Sequence, residues 1–525
     1  MKQYQKNSFL NNTITIVYFC SGMELETENR TAERKWNSFF IYCFSAALVI
    51  HLLTAWFSVG FQYQDEQSQI MDFAGHKIGM VRTDQLSWEF NQQIRPGIQP
   101  FIAVCVYQTM LFFHLHNPFL CSFILRLFST ILGWLSVLFL TKEFCKRIDS
   151  LYWRRFLVLL SCFMWPIAFV QSHFSCESIS GSCFFLGIAA ILAYQRRSES
   201  GDKKGGLLLL AGALIGLAFV IRIQTVFMVA GLGLWLIVIG RFRFKELLLI
   251  AIPGIFVIGL SSVFDHWLYG NWVFTIYRYF YVNLILGKAN AFGTSPFYYY
   301  FYMYYISFIP VASIFVMGCI FYAWFRYPKH ILTWICIPFF IGHSLIAHKE
   351  IRFLWPMMDA IPMLLILPFY KLDIDKIKNQ FTTWGLRAMW GLNIVLLLFF
   401  MIKPGNNAFG MYEYLYKYID HQGRTLIISN VRDPYEMDGA FVRFQRAPNA
   451  ILRQAGNVDS LGFKARASNE KNILIVINNN FQNDSFKRAN PSAPLLYKSW
   501  PAWINYFHIH YKNVTNQVWY VYKWK

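Results

Sequence analysis

Charge is scarce in this chain: only 14% of its 525 residues are Asp, Glu, Lys or Arg, against 56% hydrophobic and 19% aromatic. A surface so poor in charge cannot be kept in water, which excludes a soluble globule and leaves a polytopic α-helical membrane protein. Paired cysteines are also missing. The ten cysteines lie between Cys20 and Cys336, mostly within apolar segments and without paired spacing, so they read as core residues rather than a disulfide framework or a zinc knuckle. No compact constellation of carboxylates and histidines with ligand spacing is present, so neither a metal nor another cofactor is expected. Basic motifs interleaved with aromatics are absent too, which argues against nucleic acid as a partner despite a formal charge of +20. There is no internal repeat of the kind that marks many transporters. Residues 1–38 lack the layout of a cleavable signal, Ile14–Cys20 being a short apolar patch, and read as a cytoplasmic extension.

What is present is apolar sequence in lengths of about 17 to 25 residues, enough to cross a hydrocarbon core of about 30 Å. Such windows recur near 39–59, 118–141, 155–172, 177–195, 207–222, 224–240, 246–263, 303–325, 331–347, 352–370 and 384–402, which makes about eleven spans. Loop charge sets their orientation, because Lys and Arg collect in short cytoplasmic loops. With eleven spans and an inner N-terminus, each inside loop is basic: Lys142 to Arg155, Arg196 to Lys204, Arg241 to Lys245, Arg326 with Lys329, and Lys371 to Lys378. A twelfth crossing at Ile98–Leu115 would move these clusters outside, so that stretch reads as a helix at the outer interface. The transmembrane module thus covers 39–402, with outer loops at 60–97 and 264–302, and residues 403–525 form an extracytoplasmic domain.

That domain has the composition of a small soluble α/β unit. β-rich runs at Thr425–Ser429, Asn472–Ile477 and Gln517–Tyr522 alternate with helix-like stretches at Met411–Tyr418 and Ala447–Gln454. Its Lys and Arg outnumber its acids two to one, which suits either a cap holding an anionic acceptor or a merely stabilising lid. Glycosylation triplets occur at Asn483 and Asn513.

The polar residues that are unusual for their surroundings all fall on the outer side. The first loop carries Asp65, Glu66, Trp88, Glu89 and Arg95; the turn after the third span carries His173 and Glu177; Arg222 follows the fifth, Asp265 and Tyr269 the seventh, and His348, Lys349, Glu350 and Arg352 the ninth. Each has a plainer reading. Asp65 and Glu66 could be a solvated pair, Arg222 a snorkelling arginine, His173 a satisfied interfacial histidine, and Trp88 and the tyrosines from 298 to 305 an aromatic belt. Their coincidence at one depth favours a shared site. A donor with a phosphate leaving group needs cations that strengthen as negative charge develops, and Arg222, Lys349 and Arg352 supply them. An acceptor hydroxyl needs one carboxylate to take its proton, for which Asp65 is the choice, with Glu66 as neighbour and substitute.

The run His348, Lys349, Glu350, Ile351, Arg352, Phe353 followed by Pro356 resembles the signature of the dolichyl-phosphate-mannose-dependent mannosyltransferases of glycosyltransferase family twenty-two, which are GT-C enzymes of glycosylphosphatidylinositol and lipid-linked oligosaccharide assembly. Asp65, Glu66, Gln67, Ser68, Gln69 and Leu86, Ser87, Trp88, Glu89, Phe90, with Arg95 and Pro100, are similar to that family's first-loop elements. Arg222 with Thr225, and Asp265, Tyr269 and Gly270, match later turns, so the likeness covers about residues 39–360 in order. Gln67 and Ser68 replace usual aromatics, Ile223 and Gln224 intervene before Thr225, and the C-terminal domain has no counterpart. The resemblance implies a GT-C fold, Asp65 as catalytic base, and the His348–Arg352 run beside the donor's phosphate and sugar. It implies mannose transfer, with inversion, from a polyprenyl-phosphate sugar acting as co-substrate to a glycan or glycolipid acceptor. The site would face the bacterial periplasm or the endoplasmic reticulum lumen. The competing expectation is a lipid-linked sugar flippase or other transporter.

Overall fold

The computed structural model describes residues 33–202, 204–307, 310–373, 379–437, 440–499 and 518–524. Ile14–Cys20, Lys203, Lys376, Lys378 and Asn513 lie outside these residues.

Each apolar window coincides with a helical stretch, but the stretches differ in kind. Among the described residues five helices are long and apolar enough to cross a bilayer: α1 (Glu33–Phe57), α5 (Pro118–Cys145), α8 (Cys176–Glu199), α11 (Phe244–Tyr269) and α17 (Gln380–Ile402). A sixth span is available if α6 (Leu151–Phe163) and α7 (Trp165–Gln171), which bend by 44° at Met164, cross as one. Shorter apolar helices fill other windows: α9 (Gly206–Ile221), α10 (Val226–Val238), α14 (Pro310–Arg326) and α15 (Ile331–Leu345). The stretch from Ile98 is α4 (Ile98–Phe112); 15 residues reach only about 22 Å, short of the core thickness.

Three boundaries differ from those expected. Helix α1 already includes Glu33, inside the segment assigned to the N-terminal extension. Helix α11 runs on to Tyr269, so residues 264–269 belong to a helix, and the second outer loop opens at the left-handed Gly270. The window at 352–370 is not a regular α-helix: a ten-residue 3₁₀ segment, Ile351–Ala360, is followed by the short α16 (Ile361–Ile366). Pro356 and Pro362 remove backbone donors there, which disfavours uninterrupted α-helical bonding.

Helix α8 is the hub of the module, with 83% of its most apolar window buried. It starts at Ser175, whose hydroxyl accepts from the Ser178 N–H. The 3₁₀ segment crosses it so closely that a Cβ on Gly181 would stand 2.8 Å from the Pro356 carbonyl oxygen. That contact places the Glu350–Arg352 turn over the N-terminal end of α8.

The C-terminal unit opens with α18 (Phe409–Gln422) and contains a five-stranded sheet in the order β4-β1-β5-β7-β6. Its strands are β1 (Thr425–Ser429), β4 (Ala450–Gln454), β5 (Ile473–Asn478), β6 (Leu495–Lys498) and β7 (Trp519–Lys523), the short pair β2 (Glu436–Met437) and β3 (Ala440–Phe441) standing apart. β1 pairs in parallel with β4 and β5, while β7 runs antiparallel to both β5 and β6. The stretch Ala447–Gln454, expected to be helical, therefore supplies an edge strand; pairing with β1 overrides its local pattern. Period-two alternation divides the core in two. Ile427, Leu474, Val476 and Val521 pack on α18, and Leu426, Ile428, Ile475 and Ile477 on the face covered by α19 (Asp459–Arg466) and α20 (Asn480–Ala489). Asn483 of the first triplet is buried in α20 and accepts from the Tyr522 hydroxyl at 2.6 Å. The α18 core also takes in Phe61 and Phe119, joining the sheet to the first outer loop and to α5.

Gly181→Ala is expected to lower stability by about 1–3 kcal/mol, read as a reduced thermal midpoint of the purified protein in detergent; an unchanged midpoint would show that the 3₁₀ segment is not held tightly against α8.

Candidate active site

The first outer loop is helical where it matters. Asp65 precedes a π-helical turn, Glu66–Met71, that continues into α2 (Asp72–Lys77), and π-turns concentrate at functional sites. Asp65, Glu66, Arg95, Cys176 and Glu177 line one small cleft.

Arg352 ties this cleft together. Its Nη2 lies 2.9 Å from Asp65 Oδ2, its Nη1 3.7 Å from Glu177 Oε1, and its Nε donates to Glu350 Oε2 at 2.7 Å. Tyr63 and Phe353 present ring faces to the same guanidinium, at 4.6 and 5.6 Å. Burial alone would raise the Glu350 carboxyl, but the His348 hydrogen bond and the Arg352 charge outweigh it and pull it down to about 2. His348 is raised in turn, chiefly by that bond to Glu350.

The other arginines hold a second tier. Arg222, in extended backbone just past α9, sets Nη1 2.8 Å from Glu177 Oε1 and donates to Cys176 Sγ at 3.3 Å. Its Nε and Nη2 are buried without a hydrogen-bond partner among the described residues, as is Arg95 Nε. Arg95 lies 3.7 Å from Glu89 and 3.9 Å from Asp65, and these two charges, against the cost of burial, hold its pKa above the ordinary arginine value. Buried guanidinium N–H groups left unpaired are costly, and Arg95, which lines the cleft, offers one of them to an entering anion.

The remaining expected residues separate by task. Glu66 accepts from the Gln62 N–H and meets His173 Nδ1, both at 3.0 Å, and His173 Nε2 reaches Ser58 Oγ at 2.8 Å. Asp265 and Tyr269 lie behind the cleft and fix the turn that carries Arg95. Asp265 accepts from the Gly97 N–H at 2.8 Å, and the Tyr269 hydroxyl donates to the Arg95 carbonyl at 2.7 Å. Only glycine fits at 97, where a Cβ would stand 2.2 Å from the Phe264 carbonyl oxygen. His348 and Lys349 turn toward the second outer loop: His348 Nδ1 meets the Gly293 carbonyl at 3.0 Å, and Lys349 Nζ donates to Ser295 at 2.7 Å. Trp88 stands apart, stacked on Phe292 at 5.5 Å with Lys288 over its ring. Among the described residues no group of three His, Cys, Asp or Glu side chains is placed to hold a metal ion.

Several residues of the site carried no obvious sequence signal. Cys176 is one, an apparently ordinary core cysteine. Asp72, one of the polar residues that mark the first loop, is buried behind the π-turn, where its Oδ1 accepts from Gln67 Nε2 at 2.8 Å and from the Phe444 N–H at 3.3 Å. Gln445 extends this link: it accepts from Gln67 at 3.0 Å and donates to Ser122 at 3.0 Å. Arg443 donates to the Gln85 carbonyl. The segment 443–445 of the C-terminal unit is therefore bonded directly to the loop that carries Asp65.

The profile of a family described as Alg9-like mannosyltransferase matches residues 42–429. The chain is 23% identical to the GPI mannosyltransferase 3 of Yarrowia lipolytica over 53% of this chain and 52% of that protein. It is 23% identical to the GPI mannosyltransferase 3 of Candida albicans over 71% of each. A probable Dol-P-Man:Man(7)GlcNAc(2)-PP-Dol alpha-1,6-mannosyltransferase of Schizosaccharomyces pombe is 26% identical over 54% of this chain and 49% of its own length. The chain thus spans about half the length of two of these relatives. Among solved structures, apo ArnT from Cupriavidus metallidurans superposes with a TM-score of 0.50 at 13% identity, covering 93% of this chain and 98% of ArnT. That likeness is one of fold, and with the apolar helices it identifies a polytopic helical membrane protein.

Burial pushes the Asp72 carboxyl up to about 7, the bonds from Gln67 and Phe444 offsetting part of the rise. The folded state therefore holds this proton more tightly than the unfolded chain, and stability falls as pH rises from the ordinary aspartate range through about 7. Asp72→Asn keeps an oxygen for both donors and loses the titration. Between pH 5 and pH 8 the wild-type thermal midpoint is expected to fall relative to that of the variant; parallel curves would place Asp72 in solvent.

Proposed function

The chain belongs to the Alg9-like mannosyltransferase family, and from that premise we propose that it transfers mannose from a polyprenyl-phosphate donor of the dolichyl-phosphate type to a glycan or glycolipid acceptor. The reaction takes place on the extracytoplasmic face and inverts the anomeric centre. The observation that carries this reading is the pairing of Asp65, which lines the cleft, with buried arginines joined to it and to the neighbouring Glu177 by ion pairs. Asp65 commits Oδ2 to Arg352, while its Oδ1 makes no hydrogen bond among the described residues.

In the forward step the acceptor hydroxyl oxygen attacks the anomeric carbon of the bound sugar, and its proton passes to Asp65. The bond from that carbon to the phosphate oxygen breaks, and its electron pair leaves with the polyprenyl phosphate. The guanidinium groups of Arg222 and Arg352 meet the charge that develops on the leaving phosphate, in a site where low polarity strengthens the attraction. Glu177 fixes Arg222, and Glu350 fixes Arg352, so neither cation needs to reorganise during transfer. Lys349 and His348 hold the donor-side run against the Gly293–Ser295 segment. The names of the relatives, which include GPI and Dol-P-Man-dependent mannosyltransferases, support the choice of mannose and of a lipid-linked donor.

Asp65→Asn is expected to reduce transfer from a polyprenyl-phosphate mannose by about 10²-fold or more while leaving membrane insertion intact. Arg222→Gln is expected to reduce kcat by about 10²-fold. Mass spectrometry of the lipid product after incubation with purified protein measures both; wild-type turnover in Asp65→Asn would remove Asp65 from the role of base.

A further inference from the structure

Glu66 follows Asp65 in the chain and lines the same cleft, yet its side chain is only 11% exposed. Its Oε1 accepts from the Gln62 N–H at 3.0 Å and from the Tyr63 N–H at 3.4 Å, closing the turn that leads into the π-helical segment. Its Oε2 meets His173 Nδ1 at 3.0 Å, and His173 Nε2 meets Ser58 Oγ at 2.8 Å. A carboxylate oxygen only accepts, so Nδ1 carries a proton and Nε2 is left to the Ser58 hydroxyl. Ser58, His173 and Glu66 thus form one hydrogen-bonded row, drawn from the end of α1, the turn between α7 and α8, and the first outer loop.

The row is braced at its inner end. The His173 carbonyl accepts from Ser129 Oγ of α5 at 2.6 Å, and Arg126 of the same helix donates to the Ala55 carbonyl at 3.1 Å, close before Ser58. Gly405, on the link into the C-terminal unit, closes over the ring so tightly that a Cβ there would stand 2.5 Å from His173 Cε1. Carboxylate, imidazole and hydroxyl bonded in this order are also the parts of a nucleophilic triad, but here the hydroxyl is the innermost group. Ser58 and His173 are both 0% exposed, so Ser58 cannot reach a substrate, and a proton passed inward along the row would find no water. Neither attack nor proton export is open to it. What the row does control is the backbone around Asp65: Glu66 follows that residue, and its Oε1 holds the N–H groups of 62 and 63 before it.

We propose that Glu66 and His173 are positioning residues for the transfer, and that Glu66 is not a second base. The proposal rests on the reading of Asp65 as the base. Ser58 fixes the ring of His173, His173 fixes Glu66, and Glu66 fixes the turn, so that Asp65 keeps Oδ2 2.9 Å from Arg352 and its other oxygen stays available. A displacement of that turn by about 1 Å is enough to cost about 10²-fold in rate.

The test uses the full chain purified in detergent, polyprenyl-phosphate mannose as donor and a synthetic mannose-terminated glycolipid as acceptor. His173→Ala is expected to lower kcat at least about tenfold with the donor KM unchanged, the pattern of an interaction felt only in the transition state. Asn carries an amide N–H near the place of Nδ1–H, and Gln one near Nε2, so His173→Asn is expected to restore most of the lost kcat and His173→Gln little of it. Glu66→Gln keeps an oxygen for the Gln62 and Tyr63 N–H groups and is met by the other ring tautomer, so it is expected to cost far less than Asp65→Asn. Thermal midpoints report folding, and the comparison of Asn with Gln decides if His173→Ala does not fold. NMR of protein labelled at its histidine nitrogens, with His173→Asn for assignment, is expected to show the His173 ring protonated at Nδ1. Four results would overturn the proposal: wild-type kcat in folded His173→Ala, equal rates with Asn and Gln, Glu66→Gln as inactive as Asp65→Asn, or a ring protonated at Nε2 alone. Turnover by Asp65→Asn, or no transfer by folded wild type, sinks the underlying reading of the site and is distinct from all four.

Discussion

The burial of Arg352 governs the rest of the site. A guanidinium taken out of water is tolerated only when carboxylates surround it, and here Asp65, Glu177 and Glu350 all do so. These residues belong to the first outer loop, to α8 and to the turn before the 3₁₀ segment. One charge therefore fixes three parts of the chain that share no local structure. Arg222 extends the lattice through Glu177 to the end of α9, and Arg95 extends it through Asp65 to the turn locked by Asp265 and Tyr269. Such a lattice is a poor source of net stability, since pairing little more than offsets the cost of desolvation. Its value lies in orientation. Charges fixed in advance inside a poorly polarisable cleft act on a reacting group without first having to turn toward it.

Much of this was legible because the residues involved are chemically out of place. Asp65, Arg222 and Arg352 lie at the ends of apolar windows, where an ionisable side chain needs a reason, and the structure joins them through one ion-pair lattice. The later matches, Asp265 and Tyr269, were also marked by the sequence, but pattern alone does not separate a residue that touches a ligand from one that braces the turn behind it. Arg126 went unnoticed for the opposite reason: one buried arginine within a 28-residue apolar helix does not lower the window enough to stand out. Gln445 has no pattern at all, because its importance comes from meeting Gln67 and Ser122 in space. The two misread elements share one cause. Both the 352–370 window and the Ala447–Gln454 stretch are short apolar runs whose backbone is decided by neighbours, by prolines and α8 in the first case and by the edge of β1 in the second.

The C-terminal unit is attached by two different kinds of bond. Its α18 core absorbs Phe61 and Phe119, which gives broad apolar contact, and its 443–445 segment adds directed hydrogen bonds to the first loop. The apolar contact sets which surfaces meet. The directed bonds set their register, and they converge on Gln67 and Asp72, on the inner side of the π-turn whose first residue follows Asp65.

That attachment has a consequence for how the molecule comes into being. Gln67 and Gln445 are 378 residues apart in the chain, and closing so long a loop is among the slowest steps in acquiring a structure. During synthesis the first outer loop emerges early, and its glutamine and aspartate, bonded to one another, gain their contacts with 444 and 445 only after nearly the whole polypeptide has followed. Catalytic competence is thus among the last properties this chain acquires, and a shortened product ending before the sheet would insert its helices yet leave the loop beside Asp65 without its last partner.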